Sequence, residues 1–155
     1  MHVFGQDEEV NDILEYTFSS NSKINAVKIT PAHISVLQLL EIEDSNIEVA
    51  IVGGDQLTPQ QVSILRNLSP NIKIYNEYGP TEATVGCIVK EVLPNDNKIL
   101  IGKPIANTTI YIVDQNMNLV PVGMPGEICI AGSQLAKGYL NRPELTEERL
   151  SLIHI

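Results

Sequence analysis

The chain has 155 residues, with 10 Lys+Arg against 19 Asp+Glu and a formal net charge of -9. That acidity argues against nucleic acid and against an anionic membrane surface as partners, because both require a basic face. Hydrophobic residues at 43% and charged residues at 19% describe a globular chain, one domain or part of a larger one, rather than a disordered one. No apolar run approaches the roughly 18 residues of a membrane span. The start, Met1 to Glu9, has neither the basic nor the apolar segment of a secretion signal. Cys87 and Cys129 suit a reduced, cytoplasmic interior and sit as core residues in apolar strand-like runs. The histidines are scattered and outline no metal cluster.

Val10, Ile13, Leu14 and Phe18 recur near helical spacing, so Glu8 to Phe18 is expected to form an amphipathic helix. Asn25 to Ile29 reads as a short apolar strand. Thr30-Pro31 opens a helix to about Leu40, with Thr30 as N-cap and Pro31 in the first turn. Glu48 to Val52 is a second strand, closed by Gly53-Gly54-Asp55. Thr58-Pro59-Gln60-Gln61 opens a further helix with Gln61 at the capping-box position, ending near Leu68. Ile72 to Tyr75 is a third strand. This βαβαβ order implies an α/β unit with a parallel sheet and right-handed crossovers. Beyond Tyr75 come a turn-rich stretch, a strand at Val85 to Val92, and a loop at Pro94-Asn95-Asp96-Asn97. Short strands follow at Thr109 to Val113, Leu119 to Val122 and Glu127 to Ala131, with a hairpin turn at Asp114 to Asn118. This half reads as an antiparallel, barrel-like module. The expected division is therefore 1–93 for the parallel part and 94–155 for the β part.

Ligands of an open parallel sheet bind beyond the carboxyl ends of its strands. Those ends are Lys28-Ile29, Gly53-Gly54-Asp55 and Asn76-Glu77-Tyr78-Gly79. Paired glycines let backbone approach a flat ligand such as a purine. Tyr78 can stack on it, and the Asn76 carboxamide can both donate and accept. Thr81 offers a hydroxyl to a phosphate, and Glu82 offers a hard oxygen to magnesium. Taken singly, each has a plainer reading: a turn, a packing ring, a helical cap, or a surface ion pair worth little. The string Asn76 to Glu82 taken whole describes a nucleotide site with a metal.

Asn76-Glu77-Tyr78-Gly79-Pro80-Thr81-Glu82-Ala83-Thr84-Val85 closely resembles a core motif of adenylate-forming enzymes, and most of all the adenylation domains of nonribosomal peptide synthetases. Gly126 to Gly132 followed by Leu135 to Thr146 resembles a second motif of the family. Ile101-Gly102-Lys103-Pro104-Ile105 with Tyr111 to Asp114 resembles a third. The resemblance implies ATP-dependent activation of a carboxylic acid. The acid's carboxylate attacks the α-phosphate, pyrophosphate leaves, and the acyl group passes to a phosphopantetheine thiol on a carrier domain. Carried over by position, Gly54 and Asp55 border the adenine, Asn76 hydrogen-bonds it, Tyr78 stacks on it, and Gly79 belongs to the same nucleotide site. Thr81 contacts the α-phosphate and Glu82 ligates Mg2+. The family's phosphate loop lies upstream of Met1, and its ribose-binding Asp and catalytic Lys lie downstream of Ile155. The chain is therefore expected to be a piece of a longer enzyme, inactive alone, with condensation and carrier domains as partners.

The same resemblance lines the substrate pocket with Lys28, Ile51, Gly53, Glu77, Val85 and Gly86. Lys28 only donates and Glu77 only accepts, so a primary carboxamide satisfies both. A substrate carboxylate at ~4 Å from Glu77 would meet a repulsion of about 4 kcal/mol at an effective dielectric of 20. An apolar substrate would leave both charges unpaired. Asparagine is the expected substrate, with glutamine or aspartate next. A stand-alone acyl-CoA or aryl-acid ligase is disfavoured by the two charges; a non-catalytic remnant is the other alternative.

Overall fold

The computed structural model describes residues 9–150. The chain divides into two compact units, one formed by the residues up to Tyr78 with Val89–Gly102, the other by Gly79–Ile88 and the residues from Lys103 on.

The first unit begins with α1 (Val10–Phe18), which buries Leu14 and Phe18. Glu8, where the helix was expected to start, lies outside the described residues. Then come β1 (Ala26–Ile29), α2 (Pro31–Leu37), β2 (Val49–Val52), α3 (Pro59–Leu68), β3 (Lys73–Tyr78) and β4 (Ile88–Val92). Within this unit the strands lie in the order β1-β2-β3-β4. The first three are parallel, with Lys28 opposite Ile51 and Ile51 opposite Tyr75. Side chains alternate between the two faces of a strand. One face presents Ile29, Ala50, Val52 and Ile74, all buried with Ile34, Leu37 and Leu65 of the helices in one apolar cluster. Lys28, Ile51, Tyr75 and Glu77 belong to the other face, and none of them is fully buried.

Local chemistry explains the helix ends. Thr58 and Gln61 form the expected capping box, with both reciprocal bonds present. Thr30 does not cap α2 as expected. Its hydroxyl is bonded to His33 Nδ1 at 2.7 Å, and Pro31 alone marks the first turn. That helix stops at Leu37 rather than Leu40, because Leu39 and Leu40 donate to the carbonyls three residues back and tighten the last turn.

The second unit contains a single 3-10 turn at Thr81–Ala83, β5 (Lys103–Pro104), β6 (Thr108–Val113), β7 (Glu127–Gly132) and α4 (Pro143–Leu150). β6 and β7 form an antiparallel pair, with Tyr111 opposite Cys129. Ile130 of β7 is buried with Ala83, Cys87 and Ile88. The turn at Asp114 is as expected: its Oδ1 accepts from the N–H groups of Asn116 and Asn118 at 2.8 and 2.9 Å. Leu119 to Val122 is not a strand. It contributes one bridge, Val113 to Leu119, and Leu119 and Val122 are exposed. Its pairing with β6 is that bridge and a Val120 N–H donated to the Ile112 carbonyl at 3.0 Å. The expected strand from Val85 starts only at Ile88, since Thr84 and Val85 have φ of 56° and 63°.

Candidate functional site

Parallel strands end on the same edge, so β1, β2 and β3 bring the tips of the first unit together. Lys28 Nζ lies 2.6 Å from Glu77 Oε2. That oxygen makes no hydrogen bond of acceptable angle among the described residues, so the ion pair is its polar contact. Gly53, the next residue of the Ile51 face, is buried beneath them. A Cβ there would stand 3.0 Å from the Glu77 carbonyl and 3.4 Å from Oε2. Glycine therefore makes room for the Glu77 carboxylate. Lys28, Ile51, Gly53 and Glu77, four of the six expected pocket residues, thus share one face of one sheet.

Asn76 and Tyr78 belong by alternation to the opposite face from Glu77. Asn76 is buried, and its Nδ2 donates to the Leu100 carbonyl at 2.9 Å. One amide hydrogen is thus engaged within the protein. Tyr78 ends its strand and is 40% exposed. Gly54 has φ of +91°, a backbone that residues with a Cβ rarely adopt. Asp55 beside it is exposed, and its Oδ1 accepts from the Gln56 N–H at 2.7 Å.

In the second unit, Gly79 admits no other residue in place. A Cβ would fall 1.8 Å from the Val85 carbonyl oxygen and 2.8 Å from Cys87 Sγ. The Thr81–Ala83 turn leads into two consecutive β-branched residues of left-handed conformation, Thr84 and Val85, which is strained for such side chains. Val85 is 40% exposed, and the Gly86 N–H donates to the Thr84 carbonyl. Thr81 is exposed and Glu82 half-buried.

Glu82 is fixed twice. Its backbone carbonyl accepts from the Ala136 N–H at 2.7 Å, and its Oε1 accepts from the Tyr139 hydroxyl. The Tyr139 hydroxyl, assisted by the residue's own backbone, holds the Glu82 carboxyl below the usual carboxylate range. The same bond raises the Tyr139 phenol. Thr84 Oγ1 donates to the Gln134 carbonyl at 2.5 Å. Sequence reasoning missed these partners. Tyr139 lay in a quoted motif, but no periodicity links positions 57 residues apart. A groove of about 530 Å³ lined by Tyr139, Asn141, Arg142, Thr146 and Leu150 adjoins this segment.

Among the described residues, no group of three His, Cys, Asp or Glu gathers to hold a metal, and no helix is long and apolar enough to cross a membrane. Of the cysteines, Cys87 is buried as expected and Cys129 is only partly so.

Comparison with known proteins identifies the family. Residues 7–140 match the family model described as AMP-binding enzyme. Bacitracin synthase 3 of Bacillus licheniformis is 39% identical over 151 residues, covering 95% of this chain and 2% of that protein. Bacitracin synthase 1 of the same organism is 43% identical over 145 residues, covering 88% of this chain and 3% of its own length. Among solved structures, the nonribosomal peptide synthetase FmoA3 aligns with a TM-score of 0.77 at 26% identity, over 93% of this chain and 16% of that one. A four-domain nonribosomal peptide synthetase bound to AMP and glycine, holo-AB3403, aligns with a TM-score of 0.74 at 33% identity, over 88% of this chain and 10% of that one. This chain thus spans a small part of each relative's length. The α/β fold, the motif from Asn76 to Val85 and the extent of the match agree: the chain belongs to the AMP-binding enzyme family.

Proposed function

We propose that the chain is part of an adenylation domain that activates asparagine with ATP for nonribosomal peptide synthesis. The observation that carries the substrate is the Lys28–Glu77 ion pair, 2.6 Å apart above a glycine that leaves space. A side-chain carboxamide would insert its oxygen toward Lys28 and its NH2 toward Glu77. Ile51, Val85 and Gly86 complete the pocket in this reading. Family membership supports the reaction. An oxygen of the substrate carboxylate attacks the α-phosphorus, the α–β anhydride bond breaks, and pyrophosphate leaves as the aminoacyl-adenylate forms. Such transfer depends on positioning and charge neutralisation more than on covalent participation by protein. Gly54, Asp55, Asn76, Tyr78 and Gly79 would bind the adenosine, and Thr81 would hold the α-phosphate. Asn76 would use its carboxamide atoms not engaged by Leu100.

The residues present fit a magnesium ion. Glu82 is an ionised, oriented carboxylate, and Mg2+ needs only one or two such ligands beside substrate phosphates. When bound, the ion would neutralise charge on the phosphates.

In this reading, residues 1–93 and 94–155 are two parts of one AMP-binding domain, which acts in the cytoplasm. The aminoacyl group passes to the phosphopantetheine thiol of a carrier domain, with a condensation domain as further partner. These 155 residues include no Gly-rich phosphate loop, so alone they do not turn over. The test is amino-acid-dependent ATP–pyrophosphate exchange by the complete enzyme that carries this chain. Asparagine should drive exchange. Strong exchange with leucine or phenylalanine and none with asparagine would remove the substrate assignment. Coenzyme A thioester formation from a fatty or aryl acid would instead favour a stand-alone ligase. Loss of exchange with every acid would mark a non-catalytic remnant.

A further inference from the structure

We propose that Tyr139 is a positioning residue that aims the Glu82 carboxylate at the cation, an inference that rests on the adenylation reading above. The segment from Gln134 to Tyr139 meets the segment from Glu82 to Thr84 in three hydrogen bonds. Ala136 N–H donates to the Glu82 carbonyl at 2.7 Å, Thr84 Oγ1 donates to the Gln134 carbonyl at 2.5 Å, and the Tyr139 hydroxyl donates to Glu82 Oε1. The first two tie down the backbone at Glu82 and the residue two positions beyond it. The third fixes its carboxylate, which a half-buried glutamate would otherwise swing through several rotamers.

Tyr139 is itself held. Its N–H donates to Thr146 Oγ1 at 2.9 Å, and that hydroxyl donates to the Arg142 carbonyl at 2.9 Å, at the start of α4. Gly138 has φ of +156°, and a Cβ there would stand 2.9 Å from Thr146 Cγ2. The ring thus approaches Glu82 from a braced turn. Tyr139 engages Oε1 and leaves Oε2 outside that bond. A carboxylate held through one oxygen can present the other to a cation without first losing conformational freedom. Partners of this kind behind a metal ligand are commonly worth about 10–100-fold in metal affinity or activity.

The test uses the complete enzyme, with Mn2+ as probe in the presence of a non-hydrolysable ATP analogue. Tyr139→Phe should weaken Mn2+ binding about 10–100-fold. It should leave the KM for the amino acid unchanged, and it should add nothing in a Glu82→Gln background. Mn2+ affinity that is unchanged, or that falls equally in the Glu82→Gln background, overturns the proposal. If Tyr139→Phe does not fold, the wild type decides. Exchange of the Ala136 amide should slow when Mn2+ and the nucleotide bind, and an unaltered rate overturns the proposal. A wild-type enzyme that binds no Mn2+–nucleotide at all overturns the adenylation reading itself, and that result is distinct from a Tyr139 variant that binds as wild type does.

Discussion

Lys28→Met tests the pocket most directly. The change keeps much of the side chain's length and removes its charge. The pair is asymmetric: the Lys28 side chain is 56% exposed and that of Glu77 is 16% exposed. Bare attraction at this separation is about 6 kcal/mol at an effective dielectric of 20. Solvent around the exposed ammonium screens most of it, to about 1 kcal/mol for the pair. The larger effect comes from what remains. Glu77 Oε2 is buried and makes no hydrogen bond among the described residues, so removing Lys28 leaves a carboxylate oxygen uncompensated. Such a group costs about 1–3 kcal/mol. Urea unfolding of the complete adenylation domain should therefore register a loss of about 1–3 kcal/mol for Lys28→Met. The double variant Lys28→Met with Glu77→Gln should recover most of that loss. In ATP–pyrophosphate exchange, kcat/KM for asparagine should fall at least 10-fold, equivalent to about 1.4 kcal/mol, because the substrate carbonyl loses its donor. A Lys28→Met enzyme with wild-type stability and wild-type asparagine exchange would refute both the stability argument and the pocket.

Other expectations can be checked on the same protein. Gly79→Ala must displace the Val85 carbonyl, which a new Cβ would approach to 1.8 Å, so it should lose about 1–3 kcal/mol or more in urea unfolding. An unchanged midpoint would contradict the close approach. Thr58→Ala removes one side of the capping box on α3 and should cost about 1 kcal/mol, read as a lower melting temperature without altered exchange kinetics. Asp96 has its carboxyl held below the ordinary 3.8, first by the Lys90 ammonium and then by the Leu93 N–H. A carboxyl lowered on folding contributes stability that is fully present above the unfolded value and is lost as pH falls through the folded one. Asp96→Asn should therefore narrow the difference between urea midpoints at pH 7 and pH 3, and an unaltered difference would exclude this contribution.

The parallel half of the fold was legible because its signals are local and repeated. Pro31 and Pro59 mark helix starts, and short β-rich runs alternate with helical spacing. The errors have equally local causes. Thr30 is an ordinary N-cap residue by type, but His33 lies within reach of its hydroxyl and takes the bond. Leu119 to Val122 has the composition of a strand, yet after the Asp114 turn only Val113 pairs with Leu119 and Val120 donates to Ile112. Strand formation depends on a partner, and composition does not reveal one. The helix at Pro143–Leu150 is not among the expected elements, although Pro143, Glu144 and Arg149 sit where helix ends favour them.

The site was legible to different depths for a related reason. Lys28, Ile51, Gly53 and Glu77 meet through strand register, and register follows from counting along parallel strands of matched pattern. Counting also separates Glu77 from Asn76 and Tyr78. Adjacent residues of β3 face opposite ways, so a single strand can offer an acid to one ligand group while its neighbours serve another. A one-residue slip of β3 would bring Asn76 beside Lys28 and remove the carboxylate from that face. Glu82 obeys no such count. It lies inside a tight turn that closes between Gly79 and Val85, and its partners come from a distant turn at Gln134 to Tyr139. Contacts of that kind arise from packing of whole segments, so the residues that aim Glu82 become visible only once the chain is folded.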